Sequence, residues 1–267
     1  MGGDFRFKRM STKIHPTAII EAGAEIGDEV EIGPYCVVGE GVQLGDGCWL
    51  QGHVTICGPS VIGARNRFFA YGSIGQRTQD LKYAGEPTYL TVGEGNTFRE
   101  FVTVNRGTAP GASTVIGSRG NFLAYSHIAH DCVVGDDVIF SNNGTIAGHV
   151  KVGNHVVLGG LTAVHQFCRI GDFAITGGCS KVVKDVPPFF LADGNPAQIR
   201  GINTVGLERN GFSGEDIRGI KEAYRILYRG KLTQKEALDQ LDLEYGRDSV
   251  VGRLADFVRE SVRGITG

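Results

Sequence analysis

From Ile14 onward an apolar residue returns at every sixth position: Ile14, Ile20, Ile26, Ile32, Val38, Leu44, Leu50, Ile56, Ile62, Phe68 and Ile74. The same phase resumes at Val92, Phe98 and Val104, runs unbroken from Ile116 through Phe122, Ile128, Phe140 and Ile146 to Ile170, and reappears at Val182. A period of six suits neither an α-helix, which repeats every 3.6 residues, nor a plain strand, which repeats every two. It suits short strands joined by corners, three to a coil, so that three hexapeptides return the chain to the same face about 4.8 Å further on. The core of such a coil is a column of stacked Ile, Leu, Val and Phe.

The residue after the apolar position is often glycine, as at Gly27, Gly33, Gly45, Gly117, Gly135 and Gly153, and reads as a corner that needs positive φ. This explains 41 glycines beside only 8 prolines in a chain with no Gly-X-Y period. Four residues after the apolar position stands a small residue, and four of the six cysteines (Cys36, Cys48, Cys132 and Cys168) fall there. They read as small core-fillers, and the lack of any CxxC pair argues against a zinc ribbon or redox motif.

The charge balance of −2, with basic residues dispersed, gives no positive face for nucleic acid. No apolar run approaches the roughly 18 residues of a membrane helix, and the polar start lacks the core of a signal peptide, so no membrane insertion and a cytoplasmic location are expected. Residues 1–13 read as an N-terminal extension and 14–190 as the coil. Two segments, 76–91 and 106–115, leave the repeat while keeping its phase, as loops excursing from the coil wall do. After Pro188 the period stops. Ser213, Thr233 with Glu236, and Ser249 each open an amphipathic run, so 191–267 reads as a helical domain capping the coil.

Five of the seven histidines, His127, His130, His149, His155 and His165, lie close together in sequence. Stepping by one coil places His130, Gly148 and Gln166 in one column and Asp131, His149 and Phe167 in the next, both outside the apolar and small positions. His155 shares neither column and reads as solvated. His130 beside Asp131, with the Gly148 backbone one coil away, supplies a base, an orienting carboxylate and an oxyanion donor, which suits acyl transfer without a nucleophilic serine. Three-histidine zinc chemistry on a trimeric β-helix, of the carbonic-anhydrase kind, is the rival, and a non-enzymatic scaffold is the third class.

The strings His15-Pro-Thr-Ala, Gln79-Asp-Leu-Lys-Tyr-Ala-Gly-Glu-Pro-Thr, His127-Ile-Ala-His-Asp-Cys, Asn142-Asn-Gly-Thr-Ile-Ala-Gly-His, Ala163-Val-His-Gln-Phe, Gly177-Gly-Cys-Ser and Asp185-Val-Pro-Pro resemble the UDP-N-acetylglucosamine O-acyltransferases. The likeness spans essentially 14–264. It implies a mainly β fold, a left-handed parallel β-helix of hexapeptide repeats with a C-terminal α-helical domain, assembled as a homotrimer. It implies His130 as general base on the sugar 3-hydroxyl, Asp131 as its support and the Gly148 N–H as oxyanion donor. Asp80 and Lys82 would line the acceptor sugar and phosphates, His127, His149, His165 and Gln166 the cleft, and Asn203 and Arg209 the uridine end. The donor would be a 3-hydroxyacyl group on acyl carrier protein, reaching in on 4'-phosphopantetheine. No cofactor or metal would be held by the enzyme, and Gly178 would set acyl length. Asn105, Val205 and Asn210 depart from the family's usual histidine, glutamate and arginine. The resemblance implies the opening step of lipid A synthesis, and the runner-up, the UDP-3-O-acylglucosamine N-acyltransferase of that pathway, would bring a separate N-terminal uridine-binding domain.

Overall fold

The computed structural model describes residues 11–267, so most of the expected 1–13 extension lies outside the described residues. The hexapeptides form a left-handed parallel β-helix of triangular cross-section. Its walls are sheets of eleven, nine and eight strands, here the first, second and third walls, parallel throughout except for the last strand of the first. Most strands are two residues long, and pairing joins each coil to the next one on the same wall. His127 pairs with Thr145 and Ile128 with Ile146, for example. The period-six positions point inward and are almost all fully buried, with Phe68, Phe98 and Phe122 stacked at 5.0 and 4.8 Å along the axis. Each such side chain contributes about 1.5–3 kcal/mol of apolar burial. The column begins exposed: Ile14 is 46% accessible, and no coil among the described residues covers it.

The corner glycines have a different cause from the one their position suggests. Of those that follow an apolar residue, Gly75 has positive φ, but Gly27, Gly33, Gly45, Gly117, Gly135 and Gly153 do not. The left-handed residue comes two positions later and is usually not glycine, as at Tyr35, Arg65, Asp131, His149 and Phe167. What the glycines supply is clearance. A Cβ on Gly33 would stand 1.9 Å from the Gln51 carbonyl oxygen of the next coil, and one on Gly117 would stand 2.7 Å from the Gly135 backbone. Coils stacked at β-sheet spacing leave no room for a side chain there.

Cys36, Cys48, Cys132 and Cys168 are buried in the corners as core-fillers. Burial pushes the Cys48 and Cys168 thiols up to about 11 and Cys132 to about 12.

Both excursions leave the corner between the second and third walls, the first between Gln76 and Tyr89 and the second between Asn105 and Ser113. At the C-terminal end, strand Phe190–Gly194 joins the first wall beside Ile175–Thr176 and turns back antiparallel to Ala197–Ile202. Four helices follow: α1 Thr204–Arg209, α2 Gly214–Tyr228, α3 Gln234–Tyr245 and α4 Val250–Arg259. Ser213 and Thr233 close full capping boxes with Asp216 and Glu236, and Ser249 caps α4. The hairpin and short α1 have no period and were not legible beforehand. Among the described residues no helix is long and apolar enough to cross a membrane.

Candidate active site

The columns deduced from the repeat are real. The His149 N–H donates to the His130 carbonyl at 3.0 Å, and the Phe167 N–H donates to the Gly148 carbonyl at 3.1 Å. Asp131, His149 and Phe167 take the left-handed corner conformation, at φ of 59°, 61° and 64°. That conformation turns successive side chains outward at the edge where both loops depart.

His130 Nδ1 lies 2.7 Å from Asp131 Oδ2 and 2.9 Å from Thr108 Oγ1. The Thr108 hydroxyl donates to Thr78 Oγ1 at 2.8 Å, so Thr108 Oγ1 and the carboxylate both accept from the Nδ1–H. This network assigns the proton to Nδ1 and leaves the Nε2 lone pair available as a base. Asp131 is held in turn: the Thr108 N–H donates to Oδ1 at 3.1 Å, and the Asp131 N–H donates to Thr114 Oγ1 at 2.9 Å. Burial acts to raise the Asp131 pKa, but the bonds from His130 and Thr108 and the nearby His149 outweigh it. The carboxyl therefore sits below its ordinary value.

The His130 ring fills the space a side chain at 148 would take. A Cβ built on Gly148 would stand 2.6 Å from Nε2. The Gly148 N–H has no backbone acceptor among the described residues, so the base nitrogen and a spare amide donor lie side by side. His149 stacks on Phe167 at 4.6 Å and stands edge-on to His130 at 5.2 Å. His127, on the outer face of the second wall, bonds Thr103 Oγ1 through Nδ1 at 2.7 Å. Burial first, and the His130 charge second, hold its pKa below the usual histidine value.

The other expected site residues are spread more widely. Asp80 accepts from the Lys82 N–H at 2.9 Å in the first loop, which walls a cavity of about 530 Å³ together with Arg77, Thr103 and Asn105. That loop reaches His130 through Thr78 and Thr108. Asn105 donates to the Arg77 carbonyl at 3.1 Å while its buried Oδ1 has no partner among the described residues. His165 and Gln166 continue the corner one coil on and are exposed. Gly178 is on the opposite edge of the second wall, at the corner shared with the first. Asn203 caps α1, accepting from the Gly206 N–H at 3.0 Å and donating to the Phe173 carbonyl at 2.8 Å, and Arg209 is exposed at the helix end. Neither meets His130 within one chain. His155, read as solvated, stacks on Phe173 at 4.6 Å.

Three ligand-capable atoms of His130, Asp131 and His149 lie within 4.8 Å of one another. The 2.7 Å between Nδ1 and Oδ2 is about 0.6 Å less than two tetrahedral zinc ligands on arms of about 2.0–2.1 Å would show. That pair is hydrogen-bonded rather than spread around an ion. Sequence reasoning missed Thr78, Thr103, Thr108 and Thr114, since threonine in a loop or strand carries no signal of its own; only the excursions containing Thr78 and Thr108 stood out.

A left-handed β-helix whose corner sets a carboxylate-held histidine against a glycine amide defines the class of hexapeptide-repeat acyltransferases. The family described as "Udp N-acetylglucosamine O-acyltransferase; Domain 2" matches residues 185–266. The acyl-[acyl-carrier-protein]–UDP-N-acetylglucosamine O-acyltransferase of Thiobacillus denitrificans is 49% identical over 253 residues, covering 94% of this chain and 98% of that one. The crystal structure of UDP-N-acetylglucosamine O-acyltransferase from Moraxella catarrhalis superposes with a TM-score of 0.91 at 45% identity, over 95% of this chain and 99% of the other. That of the Francisella novicida UDP-N-acetylglucosamine acyltransferase gives 0.92 at 38% identity, over 95% and 93%. The chain belongs to the UDP-N-acetylglucosamine O-acyltransferase family.

Proposed function

We propose that this protein transfers a 3-hydroxyacyl group from acyl carrier protein to the 3-hydroxyl of UDP-N-acetylglucosamine, the opening step of lipid A synthesis. The observation that carries the reading is the His130 ring, tethered through Nδ1 and packed against the Gly148 backbone. Nε2 takes the proton of the acceptor hydroxyl as its oxygen attacks the thioester carbonyl carbon. The oxyanion accepts from the Gly148 N–H, and the imidazolium is stabilised by Asp131. Collapse of the tetrahedral intermediate breaks the C–S bond, and the Nε2 proton passes to the departing phosphopantetheine thiolate. The thioester is the donor's own, so the step uses no cofactor of the enzyme.

The outer face of the second wall runs from the His130 corner to the corner bearing Gly178, floored by small residues such as Ala129, Ala147 and Ala163. An acyl chain laid across this face would end near Gly178, which suits the role of length ruler. Asp80 and Lys82 stand on the loop wired to the base, as acceptor contacts should. Asn203 and Arg209 are away from His130 in one chain, so a nucleotide touching both would bridge two subunits, which supports a homotrimer with interfacial sites. The decisive experiment incubates purified protein with UDP-N-acetylglucosamine, or its 3-amino analogue, and acyl carrier protein bearing graded 3-hydroxyacyl chains. Product from UDP-N-acetylglucosamine is expected, and no product from any pairing would overturn the reading.

A further inference from the structure

The last residues of the chain return to the catalytic corner as a strap. Asp185, 1% exposed, is its latch: Oδ1 accepts from the Arg169 N–H at 2.8 Å and Oδ2 from the Ser261 hydroxyl at 2.7 Å. Its backbone binds the strap as well, with the Asp185 N–H donating to the Gly264 carbonyl at 3.1 Å and the Thr266 N–H donating to the Asp185 carbonyl at 2.7 Å. Between these ties the strap presents Arg263 to a cavity of about 340 Å³ that also touches Asp131, His149, Phe167 and Lys151.

Three carboxylates and three cations line this cavity, but they are not all paired with one another. Asp131 is engaged by His130, Asp185 by the latch, and Glu260 by Arg169 at 3.3 Å. Among the described residues no carboxylate lies within ion-pair distance of Lys151 or Arg263. The Arg263 guanidinium also contacts the Cys168 thiol, and through Nη2 it makes long contacts of 3.3 Å to the Val183 carbonyl and 3.4 Å to His165 Nδ1, so part of its five-donor fork remains available. Two cations without a carboxylate partner, on the wall of a cleft that also touches Asp131 and His149, attract an anion.

We propose that Arg263 and Lys151 form an anion-binding site, positioned by the Asp185–Ser261 latch, that takes a phosphate ester of one of the two substrates. The inference rests on the acyl-transfer reading. Two groups share this chemistry: the phosphodiester at the root of the donor's pantetheine arm and the diphosphate of the sugar nucleotide.

The test measures KM for each substrate in the wild type and in Arg263→Gln, Lys151→Gln and the double variant. KM for one substrate should rise about tenfold or more in the double variant, as expected for loss of a charge-assisted contact, with kcat within about threefold. The substrate whose KM moves identifies the ligand. Arg263→Lys should recover part of the loss, and Ser261→Ala, which frees the strap, should reproduce part of it. The proposal falls if neither KM moves more than twofold or if kcat alone falls. Titration with inorganic pyrophosphate separates the two levels. A wild type that turned over neither substrate would sink acyl transfer, whereas pyrophosphate binding lost in the double variant would still uphold the anion site.

Discussion

The Gly148 backbone and the His130 imidazole occupy touching positions in successive coils, so closely that a Cβ on residue 148 would stand 2.5 Å from the ring's Cε1. The glycine thus leaves the base its seat while keeping an amide beside it. Gly148→Ala retains the N–H but displaces the ring. A displacement of about 1 Å costs on the order of 10²-fold in rate, so kcat should fall by that much with the fold unchanged by circular dichroism. Wild-type turnover in Gly148→Ala would mean the ring can sit elsewhere and still act.

In the proposed mechanism Asp131 accepts from the Nδ1–H and balances the imidazolium. Asp131→Asn preserves the shape but removes the charge, and a charge-assisted bond of about 1.5–3 kcal/mol predicts a drop in kcat of roughly 10-fold to 150-fold. Steady-state kinetics at saturating substrates would check this. An unchanged kcat would leave Thr108 as the sufficient anchor.

His127 gives a pH signature in stability. Its folded pKa lies below the ordinary 6.5, so between those two values the unfolded chain binds the proton and the folded chain does not. The stability it contributes is present above about 6.5 and is lost as pH falls below it. Denaturant midpoints should therefore decline from pH 7 toward pH 5, and His127→Gln should flatten that slope. A slope identical in the variant would assign the acid sensitivity elsewhere.

Much of this was legible because a solenoid converts sequence distance into space. Subtracting one coil put Gly148 against His130 and Phe167 against His149 before any coordinates, and Ser213, Thr233 and Ser249 announced their helices. The same arithmetic fails wherever the chain leaves the coil. Thr78 and Thr108 sit on excursions with no register, so their link to His130 could not be computed. The corner glycines were misread because position alone does not separate positive φ from a close backbone approach, and stacking makes the second demand at Gly33 and Gly117. Arg263 was invisible for a further reason: its place depends on a latch to Asp185, 76 positions earlier at Ser261.

At the far corner, a Cβ on Gly178 would meet the Gly160 carbonyl oxygen at 3.4 Å, an ordinary contact, so a side chain can leave the backbone there without striking the coil. Gly178→Met should shift the preferred acyl donor to a shorter chain while leaving thermal stability nearly unchanged. An unaltered chain-length profile would remove Gly178 from the ruler role.

The most direct test is His130→Ala, assayed with 3-hydroxyacyl-acyl carrier protein and UDP-N-acetylglucosamine alongside light scattering of the same sample. His130 stands outside the apolar column, so its removal opens no core cavity, unlike Ile128→Ala, which should cost about 2–5 kcal/mol. The account predicts an intact trimer whose kcat is lower by roughly 10²-fold to 10⁴-fold. An intact trimer with near-normal turnover would contradict it.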